Sequence, residues 1–367
     1  MKFTCERSVL LKEIAIAQEI ISSKNAISIL SNVLLEAEND TLVIKATDIK
    51  VNFETRVPVT VTESGSTTVF CDKLLGIINS IPDGELEFEQ NDIKIIIKPS
   101  FKKIKFQLKS IASDKFPEFP SADGATFFDI PVKDFKEMVY QTVFAVSDDE
   151  TRYFMNGVFL ENNTEKLVMV ATDGRRLAYI GKSFGTSVPV FKGVIVPPKI
   201  LNLITKRAGD EGPVSIAVTE KSIFLRFGSY NLSSVLIEGQ FPNYQRVIPD
   251  KQSFSFAVNR IELLEALKRV SLLVEQKSRR IYMTVSSGSL SISSEESEIG
   301  TAIEDIPCRY EGEQVTIALN YRYLEEPLKV ISDENVTIQF TEPNRAITLH
   351  PVPEKDFFHI VMPMQLD

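Results

Sequence analysis

The chain has 367 residues, 43% hydrophobic and 25% charged, with a formal net charge of −9 at neutral pH. That length suits two or three domains, and no apolar run approaches the roughly 18 residues of a membrane-crossing helix. Cys5, Cys71 and Cys308 lie far apart without C-x-x-C spacing, which argues for reduced thiols in a cytoplasm over disulfides or zinc.

An acidic chain is a poor start for a conventional nucleic-acid binder, yet local basic surface depends on how charge is distributed. The segment Met1–Arg7 turns polar at once, so no leader is expected. A strand is predicted over Met1–Cys5, then an amphipathic helix over 7–21, with Val9, Leu10, Ile14, Ala17 and Ile21 as its apolar residues at three- and four-residue spacing. β-type runs follow at 32–36, 41–46 and 51–57, a shorter helix at 72–80, and strands at 85–90, 93–98 and 103–109. Turn chemistry at Ser121-Ala122-Asp123-Gly124 closes this segment.

The same order then returns. Phe127–Val132 leads into a helix over 133–146, and a second helix covers 199–206. The stretch Pro249-Asp250-Lys251-Gln252 marks another turn, after which Phe254–Val258, a helix over 259–274 and one over 321–330 repeat the pattern. Ala46-Thr47-Asp48 and Ala171-Thr172-Asp173 share an offset of 125 residues with Phe116-Pro117 and Phe241-Pro242. The expectation is three repeated domains, 1–122, 123–251 and 252–367, each β-α-β-β-β twice over. That is an α+β chain with helices packed on one face of its sheets.

Between the apolar runs Leu167–Val170 and Leu177–Ile180 lies Asp173-Gly174, a strong signal for a tight hairpin. Arg175 and Arg176 follow it and bring donors that water or a partner must satisfy. The first copy continues instead as Ile49-Lys50-Val51, so function is expected where the second departs from the shared framework.

Several motifs together carry a family. They are Met1-Lys2-Phe3-Thr4, Arg152-Tyr153 with Asn156-Gly157, Ala171-Thr172-Asp173-Gly174 with Arg176-Leu177-Ala178, Phe241-Pro242-Asn243-Tyr244-Gln245-Arg246-Val247-Ile248-Pro249, and Val361-Met362-Pro363-Met364-Gln365-Leu366. In these the whole chain resembles the bacterial DNA polymerase III beta-subunit family, the sliding clamps. The resemblance implies the DNA-clamp fold in a head-to-tail dimeric ring around double-stranded DNA, helices inside and sheets outside. It implies a cytoplasmic processivity factor with no catalytic site, no cofactor and no membrane association. Its partners would be itself, the polymerase III alpha subunit, the clamp-loader delta subunit and other proteins bearing a clamp-binding motif.

Residues 94–109 hold six lysines, among them Lys103 and Lys105, and no acid; residues 295–305 hold Glu298, Glu304 and three further acids, and no base. Each copy of a C2 dimer would present both patches, so the two can meet twice. Phe106 and Leu108 alternate with the lysines, and the resemblance pairs that edge with Leu272 and Leu273. For DNA, the resemblance picks Lys24, Tyr153 and Lys199; Lys73, Lys206, Arg207, Lys268 and Arg269 are added as cations on helices. Asp149 and Phe154 replace polar groups common in the family, which points to a weaker contact near Tyr153.

For partner peptides, the tail has a Pro that cannot donate to a ladder and two adaptable methionines. The resemblance sets Val361, Met362, Pro363, Met364, Gln365 and Leu366 against Thr172, Gly174, Arg175, Arg176 and Leu177, with Pro242, Arg246 and Val247. Met155, Tyr323, Asn344 and Ala346 complete that set. An extended peptide would place an aromatic or leucine anchor in the cleft, with arginines on its polar groups. Arg175 stands where a His is common and Gln365 where a base is common; Arg175 is the position expected to tune the cleft.

No enzyme motif is present: His350 and His359 lack metal-ligand spacing to any Cys, and there is no G-x-G-x-x-G, G-x-x-x-x-G-K-[ST] or G-x-S-x-G. The rival readings are a hydrolase on a β-rich scaffold and a scaffold that docks proteins without encircling DNA.

Overall fold

A computed structural model describes residues 1–21, 28–163, 165–185 and 188–366. Among the described residues the helices are α1 (Arg7–Ile20), α2 (Cys71–Ser80), α3 (Val132–Tyr140), α4 (Pro198–Arg207), α5 (Arg260–Val270) and α6 (Tyr321–Val330). Each repeat runs strand, helix, four strands, helix, three strands, so the doubled β-α-β-β-β order holds; the first repeat adds a short strand at Thr60–Glu63.

Periodicity explains the elements. In α1 the residues Leu10, Ile14, Ala17 and Ile20 line one buried face, which packs on α2 and on the strands Thr41–Thr47 and Val51–Pro58. Alternation along Thr41–Thr47 sends Leu42, Ile44 and Ala46 inward, each fully buried. Asn259 caps α5 by accepting from the Ile261 and Glu262 amides, and Asn320 caps α6 by accepting from Arg322.

The chain forms two compact units, one of residues 1–132 with 206–236, the other of 133–205 with 237–367. The first holds a 13-stranded sheet and the second a 12-stranded one. Each is sewn across a repeat boundary. In the first, Tyr230–Val235 pairs antiparallel with Val51–Pro58, and Asn52 Nδ2 donates to Ser233 Oγ at 3.0 Å. In the second, Arg176–Lys182 pairs with Phe357–Val361.

Three expectations are corrected. The helix expected to 146 stops at Tyr140 and resumes as a 3-10 turn at Val143–Ala145, because the Thr142 hydroxyl donates back to the Met138 carbonyl at 2.7 Å. The helix expected to 274 ends at Val270, followed by a 3-10 turn at Ser271–Leu273. The strand expected from Lys103 begins at Phe106, since the Ile104 amide bonds the Lys102 carbonyl in a turn.

Two strands have a half-open edge among the described residues. Phe106–Ile111 pairs along Lys94–Pro99, but its other side meets Gly65–Phe70 only at Ser110 and Ile111. Ile303–Arg309 pairs along Ser289–Ser294, but its other side meets Phe254–Asn259 only at Cys308 and Arg309.

Candidate partner-binding cleft

The hairpin that opens the cleft is a four-residue loop, Asp173 to Arg176, closed by the pair Thr172↔Leu177. Short polar side chains build it. Asp173 Oδ1 accepts from the Arg175 and Arg176 amides at 2.8 and 3.1 Å. Thr172 Oγ1 donates to the Arg176 carbonyl at 2.6 Å and accepts from the Gly174 amide at 3.1 Å. Gly174 has φ +87°, and a Cβ there would stand 2.9 Å from Arg152 Nη1.

Arg176 departs from its expected role. Its side chain is 10% exposed; Nε donates to Asp173 at 3.0 Å, Nη1 to the Glu326 carboxylate, and Nη2 to the Phe144 carbonyl at 2.7 Å. Its guanidinium also lies 4.8 Å from the Tyr323 ring centre. These internal partners leave it as the post that fixes the loop, and the exposed Arg175 as the donor offered outward.

The tail crosses from this hairpin to a sheet edge. Val361 pairs with both Arg176 and Ile347, the Met362 amide donates to the Arg175 carbonyl at 2.9 Å, and the Met364 amide donates to the Ala318 carbonyl at 2.8 Å. Pro363 sits between those two bonds and needs no acceptor. Met362 and Leu366 remain 43% and 46% exposed.

Beneath lies a cluster of Val168, Val170, Leu177, Ile195, Phe241, Tyr244 and Ile360, with Ala346 packed against it. Phe159 stacks on Phe241 at 4.8 Å. Tyr244 donates to Glu161 at 2.6 Å, and burial together with that carboxylate pushes its hydroxyl pKa up. Four of the residues expected to meet the peptide are floor: Met155, Thr172, Leu177 and Val361 are all buried. Pro242 is half-buried at the rim, while the 3-10 turn Tyr244–Val247 leaves Arg246 and Val247 exposed. Asn344 is exposed on the turn before Ile347.

A groove of about 500 Å³ runs past Arg175, Asn320, Tyr323 and Met362 to Gln365. Its remaining wall, Lys277, Ser278, Arg279 and Arg280, was missed in the sequence, where three cations in four residues were the available signal.

The expected DNA-contacting residues separate by environment. Lys73 is exposed with Asp72 at 3.3 Å, and Arg207 is paired with Glu19, which Lys206 approaches at 4.0 Å. Lys199 is half-buried, and Tyr153 is 52% exposed, edge-on to Phe154. Asp149 binds the Thr151 hydroxyl and the Arg152 guanidinium, which hold its pKa down at about 2. Lys268 pairs with Glu265 and Arg269 with Glu304. Lys24 lies outside the described residues.

At the expected dimer edges, Lys103 and Lys105 are exposed, and Phe106 and Leu108 half-buried. Leu272 is 80% exposed and Leu273 half-buried. Glu298 is exposed, whereas Glu304 accepts a bidentate pair from Arg269 at 2.8 and 2.6 Å. Ile299 and Ile303, 86% and 67% exposed on the acidic stretch, are large apolar groups that the charge pattern hid.

Three family models match the chain: the N-terminal, central and C-terminal domains of the DNA polymerase III beta subunit, over residues 1–120, 129–243 and 245–365. The beta sliding clamp of Treponema pallidum is 51% identical over 371 residues, and that of Escherichia coli 28% over 369 residues, each alignment covering both chains fully. Among solved structures, a sliding clamp from Pseudomonas aeruginosa bound to griselimycin matches with TM-score 0.94 at 30% identity. One from Bacillus subtilis matches with TM-score 0.94 at 27%; both alignments cover 100% of each chain.

Proposed function

The chain belongs to the DNA polymerase III beta-subunit family, the beta sliding clamps, and from that premise we propose that two copies close head to tail into a ring around double-stranded DNA. The family supplies processivity and not catalysis, in an α+β clamp fold of three domains. We assign those domains to 1–122, 123–251 and 252–367, and place the protein in the cytoplasm.

The observation that carries the ring is the pair of half-open strands of opposite charge. The edge Lys103–Lys109 bears three lysines and Ile303–Pro307 two acids, so one copy's basic edge completes the other's acidic edge. Leu272, Leu273, Phe106 and Leu108 are the apolar contacts of that joint, and Lys103, Lys105, Glu298 and Glu304 the charged ones. The helix cations Lys73, Lys199, Lys206 and Arg207, with Tyr153, face the duplex in this reading, and the family resemblance adds Lys24, which lies outside the described residues. Phosphate contacts carry no sequence information, so binding of linear DNA is weak and falls steeply with salt.

The cleft around Gly174, Arg175 and the tail holds an extended peptide from the polymerase alpha subunit, the clamp-loader delta subunit or another protein bearing the motif. Pro242, Arg246, Val247, Tyr323, Asn344 and Ala346 frame it over the floor of Met155, Thr172, Leu177 and Val361.

The test is loading by a clamp loader onto nicked circular DNA, followed by linearisation. Retention on the circle and loss from the cut ends is the expected result. Retention on both forms would overturn encirclement and leave a scaffold that only docks proteins.

A further inference from the structure

Two helix ends from different repeats meet through charge. Glu19 lies in the last turn of α1, and Lys206 and Arg207 close α4. Arg207 Nη2 donates to the Glu19 carboxylate, and Lys206 Nζ stands 4.0 Å from it. All three residues belong to one compact unit.

Neither α1 nor the core accounts for Glu19. A carboxylate at a helix C-terminus faces the negative end of the helix dipole, and α1 has no basic residue in that turn to offset it. The side chain is 37% exposed, where an ion pair adds little to stability. The pair is also incomplete. Arg207 Nε is buried with no acceptor among the described residues, so Glu19 holds the guanidinium by Nη2 without the parallel bonds that fix an arginine most firmly. What remains is the effect of Glu19 on the two cations.

Two further helix cations repeat the arrangement. Lys73 has Asp72 at 3.3 Å and Lys268 has Glu265 at 2.7 Å, each acid a near neighbour on the same helix. Glu19 differs in reaching across to another repeat, 188 residues away at Arg207.

Resting on the duplex reading above, we propose that Glu19 is a built-in competitor for DNA phosphate. It holds Lys206 and Arg207 in ion pairs that a backbone phosphate must displace, and so caps the affinity of the lining for duplex. A partly exposed pair breaks at little cost, so phosphates take these cations and surrender them again. Contacts that exchange in this way carry no sequence information and suit a ring that travels along its DNA.

The test measures binding of a short fluorescein-labelled linear duplex to the full-length chain by anisotropy, across a salt series. Glu19→Gln should bind about three- to tenfold tighter at low salt, and the slope of log affinity on log salt should steepen by about one for each freed cation. Glu19→Asp, which keeps the charge, should bind close to the wild type. Lys206→Gln with Arg207→Gln should weaken the wild type little but remove the whole gain in the Glu19→Gln background. Glu118→Gln removes an exposed acid from a loop and should leave affinity unchanged. An equal gain there would reduce the effect to net charge and refute the proposal. Unchanged affinity in Glu19→Gln, with Lys73→Gln and Lys199→Gln each weakening binding, would overturn the competitor and leave the lining standing. A lowered unfolding midpoint in Glu19→Gln at unchanged affinity would make the residue a structural tie between repeats instead. Unchanged affinity in Glu19→Gln, Lys73→Gln and Lys199→Gln alike would overturn the duplex reading itself.

Discussion

Arg176 and Glu326 form an ion pair that fastens the hairpin of the second repeat to α6 of the third, within one compact unit. Phe144 adds a carbonyl acceptor to the same guanidinium. Glu326→Gln should weaken the unit by about 1–2 kcal/mol in urea unfolding, and Arg176→Ala by more, because it also strands Asp173 and Glu326. Peptide affinity should fall with both variants through loss of loop position. A wild-type unfolding midpoint in Arg176→Ala would show that the tie contributes nothing.

The two copies of the Thr-Asp turn give a matched pair of tests. Thr47, Asp48 and Val51 repeat the bonds of Thr172, Asp173 and Arg176, yet Ile49 holds φ +77° where Gly174 holds +87°. A β-branched residue in that region is strained, and Ile49 is 58% exposed, so little burial offsets the strain. Ile49→Gly should stabilise by about 0.5–1 kcal/mol, and Gly174→Ala should destabilise by at least that amount. Opposite shifts in melting temperature are the expected reading.

Acid should weaken the chain through its buried histidine. His359 is fully buried, its Nε2 donates to Gln141 Oε1 at 3.1 Å, and burial lowers its pKa from 6.5 to about 3. The folded form thus stays neutral where the unfolded form takes a proton, so stability falls as pH drops below 6.5 and stops falling on this account near 3. The slope is on the order of 1 kcal/mol per pH unit. His350, also lowered by burial, adds in the same direction. Denaturant midpoints of His359→Gln between pH 7 and 4 should vary less than those of the wild type; an unchanged slope would remove His359 from the account.

Apolar exposure at the acidic edge predicts the oligomer. Leu272→Ala with Leu273→Ala should sediment as a monomer at low micromolar concentration, and Ile299→Asp should do the same by placing a charge in the joint. A dimer in both variants would move the interface elsewhere. On the proposed joint, raising salt should weaken self-association of the wild-type chain only modestly, because Glu304 already has Arg269 as an internal partner.

Periodicity and turn chemistry alone determined the element order, the threefold repeat, the polar build of the 172–177 hairpin and the edge position of a tail with a Pro between two methionines. These are local properties of spacing and side-chain type. Tertiary structure decided the rest. Cross-repeat strand pairing made two compact units from three repeats, and packing put Met155, Leu177 and Val361, expected to meet the peptide, into the floor. The hidden partner of Arg176 lies 150 residues away, and the groove cations come from two segments about a hundred residues apart, bridged by the tail through the Met362 and Met364 amides. Burial and long-range pairing belong to the packed chain, which is why no window of sequence displays them.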